Sequence, residues 1–242
     1  MAFEPFIHFM RGIQGRLGTN VYSGLQGQNG QHVAFLRQIQ KELNSDNALL
    51  IPLSELEVTV FDLETTGFFP EKGDEILSIG AIKIKGSNVK ETETFYSLVR
   101  YDKELPVHVK ELTGLSEEEL KSAPPLSNVL LDFYHFVRGT PLVAHHSNHE
   151  KNFLQAANWK QFKAPQKHRI IDTSFLSRVA DPELNQNKLE DICERYGIEV
   201  VDRHHALGDA KLTAVLWCVF NEKAQQKGYE TLQDIYNLMA KL

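Results

Sequence analysis

At 242 residues, with 42% hydrophobic and 24% charged side chains, the chain is long enough for one large folded domain and too apolar to be disordered. A net charge of −6 excludes a protein whose whole surface clings to nucleic acid, because nonspecific binding rests on phosphate neutralisation by Lys and Arg. It leaves room for an acidic cleft in which divalent cations supply the positive charge that phosphate meets.

No apolar run approaches the ~20 residues that span a bilayer, and the first residues carry no basic stretch followed by an apolar block. The expected location is the cytoplasm, with no membrane partner. Cys193 and Cys218 lie in apolar helical patterns without metal-ligand spacing and are expected to be buried free thiols.

The amino-terminal residues 1–31 carry Gly12, Gly15, Gly18, Gly24, Gly27 and Gly30 in steps of three, interrupted at Val21. There is too little proline for collagen, so a flexible or loosely docked arm is expected. Val33, Leu36, Ile39 and Leu43 then follow helical spacing before a linker at Asn44 to Asn47. Residues 1–50 read as an N-terminal extension, and a docking segment is one use for it.

From Glu57 the texture changes. Three β-rich runs at 57–63, 75–86 and 89–100, separated by turn-forming stretches, predict an antiparallel meander. Helical patterns follow at 115–137, a short strand at 141–145, a helical stretch at 147–158, a short segment at 169–173 and a helix at 188–198. Beyond residues 204–210 a long helix carries Leu212, Val215, Leu216 and Val219, with Gly228 placed to end it. Leu232, Ile235, Tyr236, Met239 and Leu242 predict a final amphipathic helix packed on the core. The expected fold class is α/β, a mixed sheet flanked by helices, with a main domain at 51–225 and a C-terminal helix within 226–242.

Within FDLETTG at 61–67, Asp62 and Glu64 lie two apart at the end of an apolar strand, so period two puts both on one face. Alone, such a pair is more often a solvated strand edge. Here Val58, Val60 and Leu63 mark a buried strand, where two like charges are costly unless cations neutralise them. Thr65, Thr66 and Gly67 place hydroxyls and backbone N–H groups at the turn, suited to a nucleotide's sugar and phosphate.

Further on, His204 precedes Asp209 by five residues at a helix entrance. The bland reading is an acid complementing the helix dipole beside surface histidines, and His205 is expected to be one of these. The functional reading is a histidine suited to proton abstraction near neutral pH, with Asp209 completing a hard oxygen site for Mg²⁺ or Mn²⁺. Zinc fits less well, because the candidate ligands are mostly carboxylates.

FDLETTG, ELTGLSEEELKSAPPL at 111–126, PLVAHHSNHEKNFL at 141–154, IIDT at 170–173, KLEDICERYGI and HHALGDAKLTAVL at 204–216 follow one another in this order. Together, from Glu57 to Phe220, they resemble the DEDDh exonucleases, which include the proofreading epsilon subunit of bacterial DNA polymerase III. The resemblance implies a ribonuclease H-like fold and two divalent metal ions, Mg²⁺ or Mn²⁺, held by Asp62, Glu64 and Asp209, with His204 as general base. It implies 3′-to-5′ hydrolysis of a strand with a free 3′ end, DNA in preference to RNA, releasing nucleoside monophosphates. Proofreading or repair follows as the setting, with a polymerase or another replication or repair protein as partner. Leu115 would wedge beside the terminal bases, and Phe68 and Phe69 would add an apolar wall or pack elsewhere.

One departure concerns the fourth acid. Where the family has Asp after Phe, this chain has His149 and Glu150, and His146 stands where the family commonly has Asn. Glu150 is the expected replacement ligand, one methylene longer, with altered metal preference as the consequence. Lys211, Arg203 and His168 are candidate phosphate contacts. The alternatives are an RNA-trimming exoribonuclease and a catalytically weak binding or docking module.

Overall fold

The computed structural model of the chain describes residues 47–184 and 188–241. The glycine-rich arm, the helix at 33–43, the linker but for Asn47, and Leu242 lie outside the described residues.

Five strands form one sheet in the order β3-β2-β1-β4-β5. β1 (Glu57–Thr65), β2 (Ile76–Lys85) and β3 (Asn88–Leu98) are the antiparallel meander, as the β-rich runs and the turns between them predict. β4 (Leu142–Ala144) and β5 (Ile170–Asp172) add on parallel, so the sheet is mixed. Helices cover both faces. α1 spans Val107–Thr113, α2 Glu117–Ser122, α3 Leu126–Val137 and α4 Asn148–Phe162. α5 (Thr173–Ala180), α6 (Leu189–Arg195), α7 (Ala206–Gln226) and α8 (Leu232–Met239) follow.

Period two in β1 sorts its side chains between two cores. Phe61 and Leu63 join Phe133, Leu142 and Phe153 on one face. Val58 and Val60 join Leu212, Leu216, Trp217 and Phe220 of α7 on the other. Asp62 and Glu64 continue that second row, so the apolar stripe facing α7 turns acidic at the strand's C-terminal end. At Gly80, which pairs with Asp62 across the ladder, the sheet meets the start of α7 so closely that a Cβ would lie 2.2 Å from Ala206 C and from Leu207 N.

The helical pattern at 115–137 is two helices, because Pro124 and Pro125 between them cannot continue a helix. Ser116 and Glu119 close a capping box at the start of α2. Two helices that the periodicity does not announce are present. α1 has only Val109 buried, and α5 follows β5 directly, with Asp172 as its N-cap. α8 packs on the core through Leu232 and Ile235, and Cys193 and Cys218 are buried and free. Among the described residues no helix is long and apolar enough to cross a membrane.

Candidate active site

Asp62 and Glu64 come from the end of β1 and Asp209 from the first turn of α7. One carboxylate oxygen from each lies within 4.8 Å of the others. The docking of α7 at Gly80 is what brings the strand's acids and the helix's acid together. The helix start is itself fixed: His205 caps it through Nδ1, which accepts from Gly208 N at 3.4 Å, while its ring stacks on Tyr96.

Asp209 is 4% exposed and held from one side. Its Oδ2 accepts from His204 N at 3.1 Å and from Arg203 Nη1, and the other end of the same guanidinium donates to Glu190 Oε2 at 2.9 Å. Its Oδ1 is buried without a hydrogen-bond partner among the described residues, and so is Glu150 Oε2. Orphaned carboxylate oxygens beside further acids are a donor set that a hard divalent cation fits.

The electrostatics agree with this. Burial, then the charges of Glu150, Glu64 and Asp209, push Asp62 well above the usual carboxylate range. Glu64 is pushed up to about 8 by burial and by Asp209, with Arg203 opposing. Glu150 is pushed up to about 8, first by burial. Such shifts arise where carboxylates are gathered without cations. Glu150 stands outside the group of three, in the first turn of α4, yet near enough for its charge to be felt by both acids of β1.

Asp62, Glu64 and Asp209, with Thr65, Gly67, His149 and His204, line a cleft with Phe68, His108 and Leu112 along it. Thr66 does not reach it, which corrects its expected contact with a nucleotide. Its hydroxyl donates to Asp74 Oδ1 at 3.3 Å and accepts from Glu75 N at 3.0 Å, bracing the turn from behind. Leu115 is corrected as well. Gly114, at φ +68, ends α1 and turns Leu115 inward among Leu77, Tyr101, Leu105, Val109 and Leu120, leaving it 8% exposed. Leu112, 52% exposed on α1, lines the cleft as an apolar side chain that sequence reasoning missed.

Of the candidate phosphate contacts, Arg203 is committed to two carboxylates and Lys211 is exposed on α7. His168 is a core histidine, stacked on Tyr134 and bonded to Arg138 O at 3.1 Å, with burial pushing it down to about 4. Phe68 is 77% exposed, and Phe69 lies under Lys72. His146 adopts φ +54, a left-handed conformation that Asn and His tolerate better than most residues, which accounts for His in an Asn position. Burial also pulls the His149 ring down from its usual pKa.

The RNase_T family model, described as an exonuclease, matches residues 59–216. The DNA polymerase III PolC-type protein of Caldanaerobacter subterraneus subsp. tengcongensis is 34% identical over 185 residues, 76% of this chain and 13% of that protein. The Bacillus subtilis protein named 3′-5′ exonuclease DinG is 29% identical over 187 residues, 77% of this chain and 20% of its own length. The chain spans about an eighth of the length of the PolC-type relatives it matches. Among solved structures, E. coli Exonuclease I in complex with a dT13 oligonucleotide superposes with a TM-score of 0.60 at 14% identity, covering 72% of this chain and 42% of that one. Exonuclease X in complex with 5′ overhanging duplex DNA superposes with a TM-score of 0.56 at 19% identity, covering 74% and 98%. These likenesses show that the fold is shared. The family match takes in both ends of the carboxylate cluster, from β1 to α7, and by it the chain belongs to the exonuclease family.

Proposed function

We propose that this chain is a metal-dependent 3′-to-5′ exonuclease that removes nucleoside monophosphates from DNA, with the nuclease unit at 51–225 between an N-terminal extension and the helix of 226–242. The observation that carries the reading is the trio Asp62, Glu64 and Asp209, drawn together from β1 and α7 with a buried Asp209 oxygen left for a ligand. These three acids would hold two divalent cations, with Glu150 completing the set from α4. Mg²⁺ or Mn²⁺ bound there would polarise the scissile phosphate and lower the pKa of an attacking water.

The protein's own groups do the rest. His204, in a left-handed turn at φ +61, lines the cleft beside Asp209 and takes the proton from water. Arg203 keeps Asp209 aimed. Thr65 and Gly67 hold the terminal sugar and phosphate, while Phe68 and Leu112 give the bases apolar surface. DNA as substrate, a place in replication and a polymerase or another replication protein as partner draw support from the name DNA polymerase III PolC-type, and a setting in the cytoplasm or in repair is proposed with them.

The test is gel-resolved digestion of 5′-labelled single-stranded DNA and matching RNA in Mg²⁺, Mn²⁺ or EDTA. A ladder that shortens from the 3′ end, more readily on DNA and not in EDTA, is the expected result. Internal cuts, or digestion that survives EDTA, would overturn the reading, and faster loss of RNA would move it to an exoribonuclease.

Glu150 gives a separate prediction. Glu150→Asp draws the carboxylate back by about one C–C bond, ~1.5 Å. The ratio of Mg²⁺- to Mn²⁺-supported rates is expected to change by about threefold or more, because Mg²⁺ demands the stricter geometry. An unchanged metal titration would remove Glu150 from the ligand set.

A further inference from the structure

His149 stands in the cleft one residue before Glu150, and the hydrogen bonds around it fix its tautomer. Thr65 Oγ1 donates its single proton to Gly67 O at 2.7 Å. Toward His149 Nε2, 3.3 Å away, the same oxygen can therefore only accept. The imidazole carries its proton on Nε2 and, when neutral, a lone pair on Nδ1.

That lone pair has a fixed direction and no partner. Phe68 meets the ring edge-on with centroids 5.9 Å apart, and Phe153 lies 4.7 Å from it, so the ring is clamped. Nδ1 makes no hydrogen bond to any described residue and is not among the buried unpaired atoms, so it is open to solvent in a ring that lines the cleft. Thr65, to which the ring is bonded, belongs to the turn assigned above to the terminal sugar. An acceptor beside that turn matches a sugar hydroxyl. It mismatches a 3′-phosphate, which has no proton to offer and carries charge into an acidic cleft.

Resting on the exonuclease reading of this cleft, we propose that His149 is a specificity-determining residue that recognises the 3′-terminal hydroxyl, its Nδ1 accepting from that group. The position sets which strand ends the enzyme takes.

Binding rather than cleavage provides the test, so that it does not depend on turnover. Fluorescence anisotropy in Ca²⁺ would compare labelled single-stranded DNA ending in 3′-hydroxyl, 3′-hydrogen or 3′-phosphate, using the full chain, His149→Phe and His149→Gln. The wild-type protein is expected to bind the hydroxyl end about three- to tenfold more tightly than the 3′-hydrogen end, the worth of one neutral hydrogen bond. The phosphate end should bind more weakly still. His149→Phe keeps the ring contacts and should shrink the hydroxyl preference below about twofold. His149→Gln, with an amide that can both donate and accept, should retain part of it. A wild-type protein indifferent to 3′-hydroxyl against 3′-hydrogen, or a Phe variant that keeps the preference, would overturn the proposal. If the preference follows His149 but no 3′ ladder forms on digestion, the recognition stands and the exonuclease reading fails.

Discussion

Asp62→Asn is expected to lower metal-dependent cleavage by about a thousandfold or more while making the protein more resistant to heat in EDTA. The two effects have one cause. Asp62 sits where Glu64, Asp209 and Glu150 all raise its pKa, on top of the cost of burial. The amide keeps the shape, removes one charge from that crowd and weakens a proposed cation ligand.

The pH dependence in EDTA follows from the direction of the shifts. Glu64 and Glu150 are raised from the ordinary carboxylate value to about 8, so the folded state holds more protons than the unfolded chain between those limits. The stability these acids allow is fully present below about pH 4 and is lost as pH rises towards 8. One pKa unit corresponds to ~1.4 kcal/mol, and because acids that share one site do not give up their protons independently, together they should remove about 2–4 kcal/mol, less than the sum of separate shifts. For a chain of this length that is a fall in Tm of roughly 5–15 °C between pH 5 and pH 8. Millimolar Mg²⁺ should reverse the fall at pH 8, and Asp62→Asn should flatten it. Calorimetry across this pH range decides the matter: an Asn variant that melts below wild type in EDTA would mean that repulsion among the acids does not govern stability here.

The second large effect belongs to a residue with no side chain. Gly80→Ala would put a methyl group 2.2 Å from the backbone of Ala206 and Leu207, atoms that no rotamer change can move aside. The first turn of α7 must shift outward, and Asp209 shifts with it. Overpacking of this kind costs about 1–3 kcal/mol, and a displacement near 1 Å in a catalytic group costs ~100-fold in rate. The variant should therefore melt several degrees lower and cleave about a hundredfold more slowly. A variant with wild-type rate and melting point would show that the close approach of α7 to β2 is not what sets the position of Asp209.

Much of this was legible in the sequence, and the reasons differ by residue. The meander of β1 to β3 announces itself because β-rich runs and turn residues follow one another, and Asp62 and Glu64 are legible because period two leaves them no choice of face. Leu115 and Leu112 both flank Thr113 and Gly114, and only the phase of a seven-residue helix, too short to show a pattern, tells which one meets the cleft. Arg203 reads as a free cation in the sequence. Its engagement with Glu190 and Asp209 depends on α6 lying beside the start of α7, which no local signal encodes. Thr66 likewise needs Asp74, eight residues on, to turn its hydroxyl away. His149 was visible as a departure from a family pattern, but its bond to Thr65 joins distant parts of the chain.

The division of the acids between β1 and α7 also orders events during synthesis. β1 to β3 form a meander of local contacts able to assemble as soon as they leave the ribosome. At that stage Asp62 and Glu64 lie on a sheet whose α7-facing side is bare, and the third acid has yet to be made. A nascent or truncated chain that stops before Ala206 lacks Asp209, so on the reading proposed above it would hold an incomplete site until α7 is made.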